Sequence, residues 1–131
     1  MPDAALPDFA TQYGALVKDV FREQVARDQA TGTELITVAR GYATRGKPDF
    51  VLAYLVVAPL EDGAKRELLA QAFERRAQLA EQRATALDDE HHRPFPLIGL
   101  EARKDRTMAR QVREGRMIRP YARAPKPLSM Q

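Results

Sequence analysis

The sequence contains no cysteine and no tryptophan, and serine occurs once, at Ser129. Without thiols there is no disulfide, no thiolate zinc site and no thiol nucleophile. A lone serine with no histidine beside it in sequence leaves a catalytic triad nothing to build on. Histidine is confined to His91 and His92, and the glycines at 14, 32, 41, 46, 63, 99 and 115 are isolated, so no glycine-rich phosphate loop occurs. The longest apolar run, Phe50 to Leu60, is interrupted by Pro59 and is well short of the roughly twenty residues a membrane span needs. The opening residues, Met1 to Asp8, lack a cationic segment followed by an apolar run, so a secretory leader is not expected and a cytoplasmic location is. β-branched clusters are also few, and no substantial sheet is expected.

What the chain does have is helix chemistry. Its 131 residues are 44% hydrophobic, enough for one packed domain, and alanine, leucine, arginine, glutamate and glutamine dominate. Asp8 is placed to cap a first helix carrying Phe9, Tyr13, Leu16, Val17, Val20, Phe21 and Val25 as one buried stripe. Thr31 and Glu34 have capping-box spacing for a second helix that ends near Gly46. Asp49 is positioned to cap a third, Phe50 to Ala58, apolar on nearly every side and therefore central, which Pro59 stops. A fourth runs from about Ala64 to Asp89, with Phe73, Ala77, Ala80, Ala84 and Leu87 forming a heptad-like seam whose partner is either internal or a second copy of the chain. The prolines at 94 and 96 break the chain, and a fifth, basic helix follows from about Leu100 to Glu114. The expected fold is all-α: a small helical bundle of four main helices in residues 1–90, then in residues 91–131 the basic C-terminal helix and an extended Pro/Arg-containing arm.

Charge is segregated along this plan. Residues 1–92 hold 11 basic and 15 acidic side chains, whereas residues 93–131 hold 10 basic and 3 acidic. On the fifth helix Arg103, Arg106, Arg110 and Arg113 follow a 3-4-3 spacing that confines them to an arc of about 80°. With Arg116 and Arg119 they make a set of charge-assisted donors suited to carboxylate or phosphate. Against this stands a plain structural role, in which the stripe is solvated or folds back on the body's own acids, such as Asp88-Asp89-Glu90 or Glu61-Asp62. The stripe has little aromatic interleaving, with only Tyr121 nearby, which weighs against single-strand nucleic-acid binding. Its apolar side lacks the large residues that insert into membranes.

Two other patterns carry less. The second and third helices imitate a helix-turn-helix in spacing, but the third lacks the polar side chains that would reach base edges. Asp89 and His92 stand three apart as in helical metal sites, yet the chain offers no second pair of that kind; they are weak candidates, and no cofactor is expected. The sequence therefore points to a non-enzymatic interaction or adaptor protein docking onto an acidic partner in a larger assembly through Arg103, Arg106, Arg110, Arg113, Arg116 and Arg119. The alternative is a nucleic-acid accessory protein gripping phosphates non-specifically, and homo-oligomerisation through the Phe73–Leu87 seam is a further expectation.

Overall fold

The computed structural model describes residues 7–91 and 96–116. These residues are all-α: α1 (Phe9–Tyr13), a 3-10 turn (Gly14–Leu16), α2 (Asp19–Ala30), α3 (Leu35–Thr44), α4 (Pro48–Val57), α5 (Asp62–His91) and α6 (Pro96–Arg113). No strand occurs among them, and none of the described helices is long and apolar enough to cross a membrane.

Asp8 caps α1 as its sequence implies, its carboxylate accepting from the Thr11 amide at 2.7 Å. The helix does not continue to Val25, however. It breaks after Tyr13, where Gly14 weakens helical continuity and Val17 is extended, with ψ 126°. Arg22 reaches back from α2 to satisfy the exposed carbonyls at the break, donating to Gly14 O at 2.8 Å and Val17 O at 3.2 Å. The break rotates the expected stripe: Phe9, Tyr13, Val17 and Val25 enter the core, while Val20 is left 62% exposed.

The Thr31–Glu34 capping box does not form. Thr31 closes α2, its hydroxyl donating to Asp28 O, and Gly32 takes a left-handed φ of 78°, which no first helical turn accommodates. α3 starts instead at Leu35, and Glu34 accepts from the Thr37 hydroxyl. At the other end the sequence and structure agree. Gly46 adopts φ 68°, its amide bonding Ala43 O while the Lys47 amide bonds Tyr42 O, the paired closure of a Schellman motif.

α4 starts with Pro48 in its first turn, where a missing amide costs nothing. Val51, Leu52, Ala53, Tyr54 and Leu55 are all buried, and the helix packs on α1, α2, α3 and α5. An apolar helix can only be stable when surrounded in this way. α5 is a rod of 30 residues, about 45 Å long. α6 returns antiparallel along it, burying Ala102, Ala109 and Val112. Ala77 and Ala80 of the α5 seam meet Ala102 of α6, small residues that let the two backbones approach. This part of the seam is thus filled from within the chain.

The two ends of the described chain are stitched together. The Gln12 side-chain amide donates to Gly115 O at 2.7 Å, and the Tyr13 hydroxyl donates to Arg116 O at 2.7 Å. These carbonyls lie just past the end of α6, where backbone acceptors lack helical partners.

Candidate functional site

The faces of α6 follow from its sequence period. Ala102, Asp105, Ala109 and Val112 recur at 3-4-3 spacing and are buried, fixing the side that meets α5. The arginines lie on the remaining surface in two columns. Arg106 and Arg113 form the inner one, beside α5, and Arg103 and Arg110 form the outer one, facing away.

The inner column is neutralised within the chain. Arg113 Nε and Nη2 donate to the two carboxylate oxygens of Glu67, each at 2.9 Å. The same guanidinium also donates to Glu74, Nη1 at 2.5 Å and Nη2 at 3.0 Å. Arg106 forks onto Glu81 at 3.2 and 2.5 Å. Glu67, Glu74 and Glu81 are spaced by sevens on α5, as are Arg106 and Arg113 on α6, so opposite charges meet in register along an antiparallel seam.

The electrostatics match this geometry. Hydrogen bonds from Arg113 hold the Glu67 and Glu74 carboxyls below the usual carboxylate range against a smaller opposing effect of burial. In return, the glutamates raise Arg113, and Glu81 raises Arg106. Because these pairs are between one third and one half exposed, each contributes about 1 kcal/mol or less. Their larger effect is to fix which side of α6 faces outward.

Arg76 of α5 and Asp105 of α6 add a more enclosed pair, with both oxygens of the carboxylate engaged at 2.9 Å. Arg116 pairs with Glu114 at 2.7 Å. Arg103 and Arg110 are exposed and make no side-chain hydrogen bond or ion pair with the described residues. Arg119 lies outside those residues, as do His92 and the side chain of Asp89. No three metal-ligating side chains cluster among the described residues.

Of the six arginines expected to act together, the structure therefore leaves two fully turned outward, commits two to α5 and gives Arg116 a local partner. The acids that α6 folds onto are not Glu61-Asp62 but Glu67, Glu74 and Glu81, with Asp105 receiving Arg76. Sequence reasoning missed this set, although two seven-residue ladders of opposite sign were present to indicate it.

No family model, no curated protein and no solved structure matches the chain.

Proposed function

We propose that this chain is a non-enzymatic interaction protein in which a small bundle, formed by the main helices of the body, carries α6 as a docking edge for an acidic partner protein in a larger assembly. The supporting observation is the pair Arg103 and Arg110. They stand two helical turns apart, about 10.5 Å along the axis, exposed and with no side-chain partner among the described residues, while Arg106 and Arg113 beside them are paired with carboxylates of α5. An unpaired guanidinium offers five donors in a planar fork, the geometry a carboxylate accepts.

The same count weakens the nucleic-acid alternative. Each neutralised phosphate contributes about 0.9 to the slope of log affinity against log salt, so within α6 the two outer-column arginines would supply about half the slope that all four of its stripe would.

The test is capture, from lysate with and without nuclease treatment, by the wild type and by the Arg103→Glu, Arg110→Glu double variant, with circular dichroism confirming equal helicity. The expected result is an acidic protein retained by the wild type and lost by the variant. Equal capture by both proteins would overturn the proposal. A partner that disappears only on nuclease treatment would support the nucleic-acid alternative instead. Truncation at Glu90 is a poor substitute, because it strips Ala102, Ala109 and Val112 from the core.

A further inference from the structure

A second basic surface lies between α3 and α5. Two adjoining hollows, about 320 and 210 Å³, share Arg40, Leu68 and Gln71, so they form one elongated groove. Ala43 and Leu68 line the larger hollow, and Leu60 and Ala64 line the smaller.

Two guanidiniums lie at the larger hollow. Arg40 is exposed, and its side chain has no hydrogen-bond or ion-pair partner among the described residues. Arg75 is held in place: Nε donates to Thr44 O at 2.9 Å and Nη1 donates to Gln78 Oε1 at 3.1 Å. That leaves Nη2 for an incoming acceptor. No carboxylate lines this hollow. The nearest acid along the groove is Glu67, in the smaller hollow, and it already receives Arg113 and the Gln71 amide.

We infer that the groove between α3 and α5 binds an acidic peptide segment of a partner protein, with Arg40 and Arg75 gripping a side-chain carboxylate and an adjacent apolar side chain resting on Ala43 and Leu68. Positive charge beside an apolar floor calls for an anion carried on a carbon stem, which a glutamate or aspartate within a peptide supplies. The elongated shape suits an extended segment. No aromatic residue lines either hollow, so a nucleobase has nothing to stack on. This inference is independent of the α6 proposal, because the two surfaces share no arginine.

The test is fluorescence anisotropy of a short labelled peptide alternating glutamate and leucine, titrated with the full chain, alongside an otherwise equal lysine–leucine peptide. Saturable binding of the acidic peptide alone is expected. Arg40→Glu should weaken it by about a factor of ten, since the change both removes an exposed ion pair and places a like charge beside the peptide's carboxylate. Arg27→Glu, which removes the same charge from an exposed position of α2 outside the groove's lining, should bind it unchanged, so that a loss confined to Arg40→Glu reports this site. The inference is overturned if the acidic peptide does not bind, if Arg40→Glu binds as well as the wild type, or if Arg27→Glu weakens binding as much as Arg40→Glu does. Displacement of the peptide by a single-stranded oligonucleotide would also overturn it.

Discussion

The Arg76 guanidinium grips both oxygens of the Asp105 carboxylate, which is only 7% exposed, while Arg76 itself remains 41% exposed. The asymmetry has energetic consequences, because the arginine retains contact with water and the carboxylate does not. Removing one member of a fully buried pair costs about 3–5 kcal/mol. Asp105→Leu should cost less, about 2–3 kcal/mol, since the Arg76 guanidinium keeps its contact with water. Replacing both residues, as Arg76→Met with Asp105→Leu, should recover most of that loss. Urea midpoints of Arg76→Met, Asp105→Leu and the double variant form the cycle that checks it.

Gly46 should be distinctly less replaceable than Gly32. A Cβ there would lie 2.9 Å from the Arg76 amide nitrogen and 3.2 Å from a Leu79 methyl, on a backbone with φ 68°. Gly32 has a similar φ, 78°, but faces open space. Gly32→Ala should therefore cost only the left-handed backbone penalty, about 1–2 kcal/mol, and Gly46→Ala should cost distinctly more. Thermal midpoints of the two variants provide the comparison, and equal losses would show that α3 does not approach α5 as closely as described.

Acid should loosen the α5–α6 seam. Glu67 and Glu74 have folded-state pKa values below their unfolded ones, so the stability they contribute is present above the ordinary carboxylate range near 4.5 and is lost as pH falls through the lowered values. Arg113→Gln removes the cause of the shift. The wild type should exceed this variant in stability by about 1 kcal/mol at pH 7, and the gap should close towards pH 3. Urea denaturation of both proteins at each pH measures the difference.

Tyr54 should govern the alkaline limb. Burial, followed by its hydrogen bond to Asp28, pushes the phenol up to about 12 from its ordinary value of 10.0. A folded state that holds this proton more tightly than the unfolded chain has an advantage that is complete below pH 10 and disappears as pH rises through about 12. Tyr54→Phe should lose about 1 kcal/mol at neutral pH and flatten that limb. Ultraviolet titration of the phenols should show a tyrosinate appearing near pH 12 in the wild type that is absent from the variant, while Tyr13, also raised by burial, stays late in both.

The features legible in the sequence were those set by local chemistry. Asp8 capping, the left-handed turn at Gly46, the burial of α4 and its end before Pro59 each depend on a few neighbouring residues. Thr31 and Glu34 were misleading because Gly32 between them favoured a turn, and a capping box needs a helical backbone before its side chains can engage. The continuous stripe from Phe9 to Val25 failed for a related reason: periodicity records which residues are apolar, not whether the backbone between them stays helical. The pairing of Arg106 and Arg113 was hidden because their acids are 25 to 46 residues earlier. A stripe viewed on one helix appears unpartnered until its neighbouring helix is known.

The contacts of Gln12 and Tyr13 with Gly115 and Arg116 join positions 103 residues apart. Closing so large a loop is entropically costly and rewarded only late in assembly. The chain is thus fastened like a belt, whose buckle engages after the rest has been wrapped, and weakening either end should speed unfolding more than it slows folding.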